Sequence, residues 1–384
     1  MDRLSRLPKL LGGERRRGEP VVPIATVRLT GEQKRNIRKA LKTNWIGFGG
    51  PFTKALEARF AELCSRSFAV FVSSGSAALH LVLSAMDVGA GDEVICPDFS
   101  IISLPHAIAL CGAKPVFVDV DYNGNIRPDL IEEKLTPRTK AIIAVHAFGI
   151  PAEMDDITRL ADRHGLRVIE DCSQAHGARY RGRVVGSLGD AACFSLYINK
   201  LIMAGEGGMI VADDEELAER TSRARNMYYG TDERFYHERF GWNYRATDLQ
   251  AAIALPLCER LPEIIQRRRE IANAIRKGLE GIEWIEFLKP PEHVSPVDWV
   301  FCVRLKKGSP IDRKELMKRL AAHGVDSRPL FVPFHMQPMY RTDGEFRGAV
   351  EIYESGLYVS CHHELKRYQI ERIVEAFNRA FENV

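Results

Sequence analysis

Residues 141–171 read AIIAVHAFGIPAEMDDITRLADRHGLRVIED, and this stretch decides the fold. It opens with Ala141-Ile-Ile-Ala-Val145, a near-continuous apolar run. Such a run suits a strand buried on both faces. Met154 to Arg163 follows with helical spacing, and Arg167 to Asp171 is a second short β-type run. Strand, helix and strand in that order predict one unit of a parallel sheet.

The same alternation extends outward. Upstream, strands are predicted at Phe68 to Val72, Glu93 to Cys96 and Pro115 to Val120. Helices are predicted over Ser74 to Met86, near Leu104 to Cys111 and near Pro128 to Leu135. Downstream, Ala191 to Tyr197 and Gly208 to Ala212 read as two strands without a long helix between them. The expected class is α/β, with a mainly parallel sheet covered on both faces. After residue 244 the grammar changes. A helical stretch from about Thr247 to Leu279 is interrupted near Pro256 and Pro262. Short strands (Trp284 to Leu288, Trp299 to Leu305) then mix with helices at Arg313 to His323 and Tyr368 to Phe381. The expected units are a flexible or loosely docked segment over 1–28, a large α/β domain over 29–250 and a smaller α+β domain over 251–384.

Composition narrows the function classes. The 384 residues include 54 basic and 51 acidic side chains, a net charge of +3, so there is no electrostatic footprint for nucleic acid. The apolar fraction of 45% supports a large core and argues against disorder. The best apolar run, Ile101 to Leu110, is too short to span a membrane and contains Pro105 and His106. Eight scattered cysteines never form C-x-x-C, which argues against a disulfide framework or zinc module and for a reducing cytoplasm. The basic start (Arg3, Arg6, Lys9, Arg15, Arg16, Arg17) also carries Asp2, Glu14 and Glu19, which argue against a transit peptide.

Ligands of an open α/β sheet collect at the carboxyl ends of its strands. After the first strand comes Ser73-Ser74-Gly75-Ser76-Ala77-Ala78. This turn suits a phosphate at a helix N-terminus, or is a plain serine cap. Asp171 ends another strand, followed by Ser173 and Gln174. A carboxylate there needs a cationic or hydrogen-bonding partner, such as a protonated pyridine nitrogen, or else caps the next segment. Finally, Phe194-Ser-Leu-Tyr-Ile-Asn-Lys200 runs into Gly205-Glu-Gly-Gly208. A lysine partly desolvated among these apolar residues can form a Schiff base, whereas an exposed loop lysine does nothing. Taken together, the three stations are the fittings that pyridoxal phosphate requires.

Four segments carry a resemblance: Ser74-Gly-Ser-Ala-Ala-Leu-His80, Glu170-Asp-Cys-Ser-Gln-Ala-His-Gly177, the Phe194–Lys200 block with its glycine turn, and Gly241-Trp-Asn-Tyr-Arg-Ala-Thr-Asp-Leu-Gln-Ala-Ala252. From about Leu29 to the C-terminus the chain resembles the sugar-nucleotide aminotransferases of the DegT/StrS type. Pro333-Phe-His-Met-Gln-Pro338 is similar to the perosamine synthase-like subgroup. The resemblance implies the aspartate-aminotransferase fold (fold type I) and a homodimer with shared active sites. It implies transfer of an amino group, with glutamate as donor, to a nucleotide-linked 4-keto-6-deoxy sugar, typically GDP-linked. A 3-keto sugar nucleotide and a non-catalytic regulatory role are the alternatives.

Carried over by the resemblance, Lys200 would hold pyridoxal phosphate covalently and then move protons. Asp171 would pair with the ring nitrogen, and Gln174 would lie near the ring oxygen. Ser76, Ala77 and Ser195 would hold the phosphate. Asn243 would reach the phosphate of the neighbouring subunit's cofactor. His335 would either face the sugar nucleotide or be a satisfied histidine in a proline-bounded turn. Dehydratases of this family replace the lysine with histidine, so Lys200 favours transamination.

The chain departs from the family pattern in two places. Ile101 stands where the family has an aromatic residue over the pyridine face, so either Ile101 packs on the ring or Phe99 substitutes. Val359-Ser-Cys-His-His363 replaces a Leu-Pro stretch. In extended structure the two histidine side chains diverge, so no metal site is expected. A nucleotide-cofactor dehydrogenase is disfavoured, because no G-x-G-x-x-G follows the first strand.

Overall fold

The computed structural model describes residues 22–230, 233 and 235–382. The basic run from Arg3 to Arg17 lies outside them. Two helices precede the sheet, α1 (Gly31–Lys42) and α2 (Pro51–Leu63). The alternating region then runs β1 (Phe68–Val72), α3 (Gly75–Ala85), β2 (Glu93–Pro97), α4 (Ser103–Leu110), β3 (Lys114–Val118), β4 (Thr139–Val145), α5 (Met154–His164) and β5 (Arg167–Asp171). A short ribbon, β6 (Arg179–Tyr180) and β7 (Arg183–Val184), separates β5 from β8 (Ala191–Ser195) and β9 (Gly208–Ala212). Then come α6 (Glu215–Arg225), α7 (Asp248–Glu259) and α8 (Leu261–Leu279).

Seven strands form one sheet in the order β1-β9-β8-β5-β4-β2-β3. β9 runs antiparallel to both of its neighbours, and the remaining pairs are parallel. The sheet is therefore mostly parallel, as the crossover pattern predicts. The missing helix between β8 and β9 explains the reversal, because two strands without a crossover between them pair antiparallel. All five residues from Ala141 to Val145 are buried.

A second sheet is built from β10 (Ile285–Glu286), β12 (Phe301–Leu305), β13 (Ser327–Pro329) and β14 (Gly356–Val359), in the order β10-β12-β14-β13. Between them β11 (Val294–Ser295) joins the β6–β7 ribbon. Helices α9 (Arg313–Ala322), α10 (Arg347–Ser355) and α11 (Arg367–Ala380) complete this part. It has its own core, in which Ile271, Ile275 and Leu279 of α8 meet Val303, Leu357 and Phe377. Val22 joins that core, and its N–H donates to Gly324 O at 2.8 Å.

Two expected elements come out differently. The helix expected near Pro128 to Leu135 is two single 3₁₀ turns, Pro128–Leu130 and Glu132–Lys134. Leu135 is already extended (ψ 138°), and Thr136-Pro137 follows, which disfavours helix before the proline. The strand expected over Trp284 to Leu288 shrinks to the two residues of β10. In the long helical stretch the break falls at Arg260. Pro262 sits in the first turn of α8, where a missing N–H costs nothing, while Pro256 is tolerated inside α7. Among the described residues no helix is long and apolar enough to cross a membrane.

Candidate active site at the carboxyl ends of the strands

β1, β5 and β8 end on the same side of the large sheet, and the loops that follow them enclose a cavity of about 390 Å³. Ser76, Gln174, Ser195, Ile101 and Lys200 all line it. Ser74 is the N-cap of α3, its hydroxyl accepting from Ala77 N–H at 3.1 Å. Ala77 is thus buried with its amide already engaged. The other first-turn amides of a helix have no partner within it and remain available to an anion. Two glycines let this turn approach the strand ends. A Cβ on Gly75 would lie 2.9 Å from Ser195 Cβ, and one on Gly208 would lie 2.2 Å from Ser74 O. That contact requires Gly208, the last residue of the glycine-rich turn after Lys200.

β5 ends in two acids that face different surroundings. Glu170 is fully buried and accepts from three backbone amides, Gly186 (2.8 Å), Leu188 (2.7 Å) and Gly189 (2.9 Å). It also meets His146 Nε2 at 3.0 Å. Burial alone would raise its carboxyl pKa, but His146 and the amides hold it below the ordinary carboxylate range. His146, Glu170 and Cys172 bring ligand-type atoms within 4.8 Å of one another, yet Glu170 is already satisfied as a tie between loop and sheet. Asp171, 2% exposed, accepts from Ser173 N–H at 3.0 Å, and its charge acts on Lys200. Gln174 Oε1 accepts from Phe148 N–H at 2.7 Å, which leaves its NH₂ group as the free donor.

Burial pushes the Lys200 amine down to about 7, with Asp171 pulling it back up and Arg268 pushing it further down. A substantial share of this amine is therefore uncharged and nucleophilic at neutral pH. Its Nζ lies 3.9 Å from the centroid of the Trp299 ring, whose Nε1–H donates to Asn199 O at 3.2 Å. Trp299, Phe331 and Tyr358 supply an aromatic wall that local sequence reading missed. The signal available for Trp299 was only an aromatic residue in a β-type run, which ordinarily means core.

Phe99 is fully buried, packed 6.0 Å from Phe148 and 5.7 Å from Phe331. Ile101 is 44% exposed and lines the cavity, so Phe99 does not take the position beside it. His335 lies outside the cavity lining. Its Nδ1 pairs with the buried carboxylate of Asp98, its N–H donates to Asp98 Oδ1 at 2.8 Å, and its ring stacks on Phe346. Burial raises the Asp98 carboxyl to about 6, while His335 pulls it down. Asn243 is exposed, away from the cavity, and accepts from Arg245 Nε at 2.8 Å. The rings of His362 and His363 stack at 4.3 Å rather than diverging. Hydrogen bonds from His362 N–H to Ser360 Oγ and from Glu364 N–H to His362 Nδ1 turn the chain here, so it is not extended.

A profile of the DegT/DnrJ/EryC1/StrS aminotransferase family matches residues 27–378. The chain belongs to that family. It is similar to the GDP-perosamine synthase of Caulobacter vibrioides, with 38% identity over 368 residues, covering 94% of this chain and 98% of that protein. It is also similar to the dTDP-3-amino-3,4,6-trideoxy-alpha-D-glucose transaminase of Streptomyces venezuelae, at 38% over 344 residues, covering 87% and 88% of the two chains. The crystal structure of S. venezuelae DesV superposes with a TM-score of 0.88 at 35% identity, covering 95% of this chain and all (100%) of that one. DegT-family aminotransferases are pyridoxal-phosphate enzymes of this α/β fold. The residues present fit that cofactor. Gly75 lets a serine-rich helix start pack against Ser195, a buried acid ends β5, and an amine of lowered pKa lines the same cavity as the helix start.

Proposed function

We propose that this aminotransferase places an amino group on the 4-keto carbon of a nucleotide-linked 6-deoxy sugar, GDP-linked as in perosamine synthesis, with L-glutamate as donor. The observation that carries the reading is the Lys200 amine, half-buried at the cavity with Asp171 acting on it. When bound, pyridoxal phosphate supplies the aldehyde that accepts the amino group and the ring that takes up electrons from the reacting carbon. The side chains do the rest. Lys200 Nζ anchors the cofactor and, once free, takes a proton from one carbon and returns it to another. Asp171 keeps the ring nitrogen protonated by holding a negative charge against it. The free NH₂ of Gln174 serves the ring oxygen. Ser76 and Ser195 hold the phosphate at the start of α3, whereas the amide of Ala77, also expected there, is taken by Ser74.

Asn243, exposed on this chain, serves the phosphate of a second subunit in a homodimer. The eight unpaired cysteines suit a reducing cytoplasm. A 3-keto substrate is the second reading, favoured by the 38% identity to the S. venezuelae transaminase, whose name specifies a 3-amino sugar. The test is a glutamate-dependent screen of GDP-, UDP- and dTDP-linked keto sugars, with product regiochemistry read by NMR. A 4-amino GDP-sugar is expected. A 3-amino product selects the second reading, and no conversion of any keto sugar nucleotide overturns both.

A further inference from the structure

The aromatic wall beside Lys200 has a specific geometry. Trp299 is 5% exposed and fixed from two sides. Its indole N–H donates to the carbonyl of Asn199, the residue before Lys200, at 3.2 Å. Its own carbonyl accepts from Arg268 Nη1 at 2.6 Å. Arg268 is itself buried (1% exposed) on α8. Thus the ring is tied at one edge to the lysine's own loop and at the backbone to the helix that carries the second core. Its face is presented to Nζ at 3.9 Å, well within the 6 Å limit for attraction between a cation and an aromatic face.

We propose that Trp299 is a positioning residue that seats the ε-ammonium of Lys200 on its indole face whenever the lysine is not attached to the cofactor. The proposal rests on the assignment of Lys200 as the cofactor lysine, and it adds a site for the released state of that side chain. A lysine that alternates between attachment and proton transfer must be held close while detached, or its flexible four-carbon stem disperses the amine. Burial disfavours the charged form, and a ring face is a partner that offsets part of that cost without an ion pair. Asp171 also raises the amine's affinity for a proton, and Arg268 lowers it. The Trp299 ring therefore shares control of the charge with those two groups.

The test uses apoenzyme and follows the rate of pyridoxal phosphate capture against pH. Only the uncharged amine attacks the aldehyde, so in the wild type the rate rises with pH and levels off above a midpoint near 7. Trp299→Leu keeps an apolar wall but removes the ring face. Its midpoint is expected to fall by roughly 0.5–1 unit, a three- to ten-fold change in the free-amine ratio at a given pH. Trp299→Phe keeps a face and is expected to hold the midpoint within about 0.3 unit. Equal midpoints in wild type and Trp299→Leu overturn the proposal.

If the leucine variant does not fold, the emission of wild-type apoenzyme decides. Its tryptophan fluorescence should show a transition near pH 7 that is absent in Lys200→Met. Identical titrations of the two proteins overturn the proposal. Failure of the lysine assignment looks different, because Lys200→Ala would then still form the lysine-dependent absorbance band with cofactor while the wild-type emission transition persisted.

Discussion

The cavity around Lys200 has two walls of different origin. One consists of strand ends and the turns that follow them, Ser74 to Ser76 after β1, Ser173 and Gln174 after β5, and Ser195 to Lys200 after β8. It is polar, and its positions are fixed by backbone pairing within one sheet. The other is aromatic and comes from residues 299, 331 and 358, which flank or belong to the second sheet. The polar wall supplies the groups that take part in bond making. The aromatic wall supplies shape and, in Trp299, a ring face 3.9 Å from the lysine amine. Chemistry and environment are thus encoded in separate stretches of the chain, up to residue 200 and from residue 299 onward.

Four substitutions break or sharpen that contrast. Lys200→Ala removes the polar wall's central group. Turnover should drop at least ~10²–10⁴-fold from lost proton transfer alone, and the visible band of the holoenzyme should vanish. A wild-type protein without any lysine-dependent band sinks the assignment. Asp171→Asn keeps volume but deletes charge. A charge-assisted hydrogen bond contributes about 1.5–3 kcal/mol, so kcat should fall roughly 10–100-fold, with KM for the sugar nucleotide little changed. An unaltered kcat would mean that Asp171 does not serve the ring.

His335→Ala removes the imidazole from the buried Asp98 and leaves it only the backbone N–H of residue 335. The expected loss is about 1–3 kcal/mol of stability, read as a lower denaturant midpoint. With its partner in place the carboxyl titrates near 6, so the loss should be larger above that pH, where the charge is fully present, and smaller below it. KM for the sugar nucleotide should not move, and a clear rise in KM would return His335 to the substrate. Ile101→Phe is the smallest change. Offset stacking contributes about 0.5–1.5 kcal/mol beyond area burial, so cofactor affinity should tighten by roughly two- to ten-fold, measured by titrating apoenzyme. No change would show that Ile101 does not cover the ring.

The polar wall was legible in the sequence because each of its groups follows directly on an apolar strand. A serine, acid or lysine at such a place is conspicuous against a run like Ala141 to Val145. The aromatic wall was not legible. Trp299 lies 99 positions from Lys200 and meets it only through tertiary packing. The choice between Ile101 and Phe99 also needed coordinates, because it depends on a three-ring cluster with Phe148 and Phe331. The stacked pair His362 and His363 was misjudged because side-chain divergence assumes an extended backbone, and local hydrogen bonds turn this one. Helices α1 and α2 were not legible, because they precede the strand–helix alternation that begins at β1.

The amide nest around Glu170 has a consequence for how reliably β5 finds its place. Arg167-Val-Ile-Glu-Asp171 is buried from Val168 onward without alternating apolar and polar residues, so its hydrophobic pattern alone does not distinguish one register from the next. A slip by one residue would exchange the faces on which Glu170 and Asp171 lie. The carboxylate that three amides and His146 await would then be missing from its socket, and the wrong acid would stand at the cavity. Misregistered chains would therefore carry an unsatisfied buried charge and empty donors at once. Single-residue insertions or deletions within β5 should accordingly yield insoluble protein rather than a folded, inactive enzyme.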